Sequence, residues 1–135
     1  MFGEALDPAP VRIHNRCWWP LQPRRIIMAP DGHLWCHPKG ATWRADWSAE
    51  GPVGQAFFLH EMTHVWQWQR GICVFLERLP LARYRYTLVP GKPLARYGIE
   101  QQAEIVRHAH LARCGIGNAC ATSDQLARVV GSAFA

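Results

Sequence analysis

The stretch FLHEMTHVWQWQR, residues 58–70, decides how this chain is read. It sets His60 and His64 four positions apart, with Glu61 beside the first. Residues four apart on a helix stack on one face, so the two imidazoles point at a common centre. Two zinc ligands require that convergence. Glu61 is rotated about 100° from His60, too far round to ligate easily beside it. It is placed instead to take a proton from a metal-bound water, which is the division of labour behind the H-E-x-x-H spacing. The same letters also fit a buried helix whose histidines are satisfied by backbone or carboxylate partners. The choice rests on what the rest of the chain supplies.

Working outward, Gly51 and Pro52 open the helix, since proline early in a helix sacrifices no hydrogen bond. The helix runs to about Arg70, and Gly71 is placed to cap it. Phe57, Phe58, Leu59, Met62, Val65, Trp66 and Trp68 fall on nearly every face, which predicts a central, buried helix. A second clear helix covers about 99–113 and is closed by Gly115. It carries Glu100 and Glu104, again four apart. Catalytic zinc takes three protein ligands and one water, so two histidines leave a ligand missing. One of these acids can bind the metal, and the other can orient a ligand histidine through its free ring N–H. An exposed acidic stripe would look the same. However, Ile99, Ala103 and Val106 mark the adjoining face as buried, and carboxylates near a core margin need cations or donors.

The remaining segments suit a single α+β domain over residues 1–135. Residues 1–25 read as an extended arm packed on it. RIIMAPDGHLWCHP, residues 25–38, reads as a β-hairpin with a Pro-Asp-Gly turn. Trp43 and Trp47 are expected to dock the following loop onto the core. Tyr84, Tyr86 and Leu88 alternate as one face of a strand, and Pro93 limits the segment after it to an edge. A short last helix is expected to start at about Ser123, which has N-cap chemistry.

Thirteen arginines and two lysines against ten acids give a net charge of +5, but the arginines are spread along the chain. That spread argues against a nucleic-acid surface, which would cluster them. The basic and aromatic interleaving of residues 83–97 is read as an amphipathic strand rather than a single-strand groove. Five cysteines without C-x-x-C spacing predict reduced thiols, with a Cys114–Cys120 bridge as the alternative after export. Cys36-His37 is weak as a second metal site, because one adjacent pair supplies too few ligands. No Sec-type leader and no membrane span are legible, so a cytoplasmic start is expected, with any export through a specialised system.

HEMTH followed by Glu100 and by an acid four residues on resembles the gluzincin branch of zinc metallopeptidases. The resemblance implies a minimal zincin-like domain with two ligand-bearing helices and a small sheet. It implies His60, His64 and Glu100 as ligands of Zn2+, Glu61 as general base, and Glu104 as the acid supporting His60. Glu104 departs from the family pattern, which has Asp there. A narrower likeness runs through RIHN (12–15), PDGHLW (30–35), FLHEMTHVWQWQ (58–69) and PGKPLARYGIEQQAEIV (90–106). These are similar to small proteobacterial proteins called Vgr-related or Rhs/Vgr-associated, metallopeptidase-like proteins linked to type VI secretion.

A peptidase with this site needs an oxyanion donor besides zinc. His108, two turns from Glu100, and Tyr97, just before that helix, are the candidates. The 26–37 hairpin is the candidate edge for holding an extended substrate. The expected partners are a protein or peptide substrate and a Vgr/Rhs-type secretion protein. The rival expectation is a non-catalytic, zinc-stabilised adaptor that binds a secretion-spike or toxin partner. A third, favoured slightly by the charge, is a zincin acting on nucleic-acid-bound proteins.

Overall fold

A computed structural model describes residues 1–78, 82–117 and 120–135. Among these, the long helix α1 spans Pro52–Gln69. Gly51 precedes it in an extended conformation and Pro52 takes the first helical position. At the other end Gly71 adopts φ +80°, a left-handed conformation that glycine enters without steric cost. The amide of Ile72 then donates to the Gln67 carbonyl (3.1 Å), and that of Gly71 to Trp68 (2.9 Å). This Schellman pattern satisfies carbonyls that a helix end otherwise leaves bare. From His60 to Gln67 every residue of α1 is buried, as expected from its apolar spread.

The helix α3, Ile99–Arg113, lies against α1 in the largest helix contact of the domain. Its C-terminus repeats the same device at Gly115, with Gly115 N–H to Ala112 (3.1 Å) and Ile116 N–H to Leu111 (2.9 Å). Between the two helices, a single turn α2, Val74–Glu77, continues from the α1 cap. The last helix, α4, Ser123–Ala133, packs on α3. Thr122 rather than Ser123 is its N-cap, in a capping box with Gln125.

Three short strands form the sheet: β1 (Ile13–His14), β2 (Ile27–Met28) and β3 (Leu34–Cys36), in the order β1-β3-β2. β2 and β3 are the predicted hairpin, antiparallel with Ile27 opposite Cys36 and Met28 opposite Trp35. β1 runs parallel to β3, so the N-terminal arm contributes a strand instead of only lying on the domain. Ile27, Leu34 and Cys36 face inward and join Val65, Trp66, Ile105, Val106 and Leu126 in the core. The architecture is therefore α+β, with four α-helices and a small mixed sheet among the described residues.

Other expectations are corrected. Trp47 is buried and stacks on Phe58 (5.4 Å between centroids), but Trp43 stands exposed. Residues 84–88 form no strand, because no strand among the described residues pairs with them. Side chains hold this stretch instead: Gln101 donates to the Arg85 carbonyl (2.6 Å), and just beyond it the Val89 N–H donates to the Tyr97 hydroxyl (2.9 Å). The start of that predicted segment, residues 79–81, and residues 118–119 of the turn before α4 lie outside the described residues. Cys114 is not disulfide-bonded in this structure. No helix among the described residues is long and apolar enough to cross a membrane.

Candidate metal centre

His60 and His64 project from the middle of α1 toward the first turn of α3, with ring centroids 5.1 Å apart and planes nearly perpendicular. Facing them is Glu100, the second residue of α3, where the helix dipole favours a carboxylate. Its Oε2 lies 3.3 Å from Nε2 of His60 and 3.3 Å from Nε2 of His64. All three side chains are buried, and one ligand atom from each falls within 4.8 Å of the others. The second Glu100 oxygen lies 2.8 Å from Arg78 Nε.

Two features of this cluster fit a bound cation. Neither carboxylate oxygen of Glu100 is aligned in a hydrogen bond, although both are buried. Oε1 is offset by the Arg78 ion pair, whereas Oε2, buried without an aligned donor, leaves a place for a further positive partner. The spacing also fits, since tetrahedral zinc with bonds of about 2.0–2.1 Å holds adjacent ligand atoms about 3.3–3.4 Å apart.

The ring tautomers follow from what lies behind each histidine. Gln67 Nε2 donates to the Ile99 carbonyl (2.9 Å) and to Gln102 Oε1 (2.9 Å). Gln102 is fixed in turn because its Nε2 donates to the Tyr97 carbonyl (2.6 Å). These bonds turn Gln67 Oε1 toward His64 Nδ1 at 2.8 Å, so Nδ1 carries the proton. The lone pair of His64 Nε2 is then left facing Glu100 Oε2, an acceptor facing an acceptor unless a cation lies between. For His60 the supporting group is Glu104, whose Oε1 lies 2.9 Å from Nδ1. Arg107 holds that same oxygen at 3.1 Å.

Electrostatics agree with the geometry. Burial pushes His60 toward neutrality, but the carboxylates of Glu100 and Glu104 outweigh it and raise its pKa to about 9. Burial likewise works against ionisation of Glu100, yet the two histidines and Arg78 hold its carboxyl well below the usual range. Glu104 is also lowered, by His60 and Arg107 against its own desolvation. Glu61 differs. Burial raises its carboxyl above the ordinary value despite the opposing pull of His60 and His64.

A cleft of about 380 Å³ opens over this centre and is lined by both histidines, Glu61, Glu100 and Glu104. Arg25, Ile26 and Ile27, leading into and along β2, form one wall. Arg78 and Tyr84 stand on another side. The structure thus brings His60, Glu61, His64, Glu100 and Glu104 together, with Glu100 contacting both rings and Glu104 only His60.

His108 and Tyr97 are placed elsewhere. Tyr97 is buried, with its hydroxyl accepting from Val89 and Lys92 Nζ 4.2 Å above its ring. His108 sits behind Glu104 (3.5 Å) and is bound to the Tyr86 hydroxyl (2.7 Å), off the cleft wall. In their stead the cleft has Tyr84, stacked near His60 at 6.4 Å, whose hydroxyl accepts from Arg78 Nη2 at 3.0 Å. Arg78, Tyr84 and Gln67 are functional candidates that the sequence reading missed. Only Gln67 carried a signal, as a polar residue one turn beyond His64 in a helix otherwise buried.

The whole fold overlays the effector domain of Pseudomonas aeruginosa VgrG2b with a TM-score of 0.80 and 38% sequence identity, covering 96% of this chain and 75% of that domain. The chain belongs to the VgrG2b effector-domain family. It is also 41% identical, over 91% of its length, to the type VI secretion system spike protein VgrG2b of the same species, yet spans only 13% of that protein. The likeness to Vgr-related proteins drawn from the sequence holds at the level of this VgrG2b effector-domain family. No family model matches the chain.

Proposed function

We propose that this chain is a zinc-dependent peptidase of gluzincin type and a type VI secretion effector, acting with a Vgr-type spike protein. The observation that carries the reading is the pair of buried imidazole nitrogens, each 3.3 Å from one unbonded oxygen of Glu100, with Glu61 on the same cleft wall.

His60, His64 and Glu100 would hold the metal. Zinc there would supply a water acidified toward neutrality and would polarise a peptide carbonyl. Glu61, on the cleft wall beside these ligands, would serve as the general base and then as the proton donor to the leaving amine. Glu104 and Gln67 keep the two rings in the tautomers that direct Nε2 inward. Tyr84 accepts from Arg78 and retains its own proton, so it is a neutral group at the cleft able to donate to a developing oxyanion. The outer edge of β2 pairs with no strand among the described residues, and it lies beside the centre. An extended protein or peptide substrate can therefore add along it.

The rival adaptor reading shares the ligands and parts company at Glu61. Metal analysis of purified wild type and Glu61→Gln, together with a mixed peptide library read by mass spectrometry, tests the two. We expect stoichiometric zinc in both proteins and cleavage by the wild type alone. A zinc-loaded wild type that cuts nothing in the library would favour the adaptor.

A further inference from the structure

A second, apolar cavity of about 330 Å³ adjoins the metal cleft and shares two of its residues, His64 and Arg78. Its other walls are Met28, Ala29, Pro30, Val74, Phe75 and Ala82. None of these residues is used by the proposed reaction. The cavity is at the lower end of the range of ligand pockets, about 300–1,000 Å³, a size for one side chain rather than a whole ligand. Apart from the two shared residues it offers no charged group.

Its position relative to β2 gives it meaning. Residues 25–27 line the metal cleft, whereas residues 28–30 line the apolar cavity. A strand advances about 3.3 Å per residue. A peptide laid along β2 with its reacting carbonyl beside His60 and His64 therefore reaches the cavity within about two residues.

We infer that this cavity selects the substrate: it takes a large apolar side chain, such as Leu, Met or Phe, within two residues of the cleaved bond. The inference rests on the peptidase reading for the word "cleaved", but the cavity's preference can be measured without cleavage. Filling it with Leu in place of Gly buries enough apolar surface to tighten binding about tenfold to a hundredfold. Phe75 is half exposed at the second position of α2, where Asp suits the helix start, so Phe75→Asp changes the wall without burdening the fold.

The test has two arms. In the first, zinc-loaded wild type and Phe75→Asp digest a mixed peptide library. The expected result is Leu, Met or Phe enriched at one position within two residues of the cut in the wild type, and that enrichment lost in Phe75→Asp. Cleavage without apolar bias overturns the inference and leaves the peptidase reading intact, as does a bias that Phe75→Asp fails to alter. In the second arm, labelled peptides differing only as Leu or Gly are titrated into Glu61→Gln and into the double variant with Phe75→Asp. Tighter binding of the Leu peptide, by tenfold or more and abolished in the double variant, supports the pocket even if the wild type cuts nothing. Equal binding of the two peptides overturns it.

Discussion

Replacing Gln67 by Ala tests the logic of the metal centre most directly. Gln67 is fully buried and makes three hydrogen bonds: to His64 Nδ1, to the Ile99 carbonyl and to Gln102. Truncation leaves buried partners unsatisfied on both α1 and α3, and each such orphan costs roughly 1–3 kcal/mol. Water entering the vacated space offsets part of this. A net loss of about 2–4 kcal/mol in the metal-free protein follows, or roughly 10 °C in melting temperature for a domain of this size.

Zinc binding should suffer as well. Without the acceptor behind it, His64 is free to carry its proton on Nε2, the atom that faces Glu100. Loss of such a supporting group typically weakens metal affinity about 10- to 100-fold, equal to about 1.4–2.8 kcal/mol. The assay is zinc titration against a competing chelator, with calorimetry of the metal-free protein and two-bond proton–nitrogen correlation to read the His64 tautomer. Gln69→Ala is the control, since Gln69 sits on the same helix but bonds only Asp7 in the arm. If Gln67→Ala melts earlier yet binds zinc within about threefold of the wild type, Gln67 is only structural and the tautomer argument is refuted.

Other outcomes follow from the backbone turns and from the charges around His60. Gly71→Ala, at φ +80° with open space around the missing Cβ, should cost about 1 kcal/mol from backbone strain alone. Gly32→Ala should cost clearly more in the same denaturant titration, because its Cβ would sit 2.5 Å from the Trp68 ring as well as at φ +82°. The two forms of the protein should also respond oppositely to pH. In the metal-free protein the His60 pKa is raised from 6.5 to about 9, so its contribution is full below pH 6.5 and is lost as pH rises through about 9. Zinc needs the same ring deprotonated, so the extra stability of the zinc-bound form should disappear as pH falls. Melting curves of both forms between pH 5 and 10 check this. A metal-free protein that gains stability between pH 7 and 9.5 would count against the His60 carboxylate contacts.

Much of the fold was legible because its punctuation is local. Pro52, Gly71 and Gly115 act through the backbone of the turns they occupy, and the Pro-Asp-Gly turn at 30–32 sets the hairpin. These need no knowledge of distant partners. What failed was what only a distant partner decides. β1 is two residues long and exists because β3 accepts it, so no alternation in residues 1–25 could announce it. Residues 84–88 have the alternation, yet they pair with no strand among the described residues, and Gln101 takes the Arg85 carbonyl instead.

The site divides along the same line. His60 with His64, and Glu100 with Glu104, are each fixed by the four-residue spacing of one helix, so both halves could be read before it was known that α1 packs on α3. The oxyanion candidates were chosen by nearness in sequence to Glu100, and that criterion has no such support. Tyr97 precedes the helix with its ring turned to the 89–92 loop, and His108 lies beyond Glu104 on the far side from the cleft. Arg78 and Tyr84 line the cleft from the connection between α1 and α3, which nothing periodic in the sequence records. The two parts should therefore behave differently under substitution. Changes on α1 and α3 act on metal affinity and on the reaction itself, whereas changes in residues 28–30 and at Val74 and Phe75 act on which peptide is held. A variant such as Phe75→Asp that altered zinc affinity as strongly as Gln67→Ala would show that this separation between metal-holding helices and substrate-holding connections is mistaken.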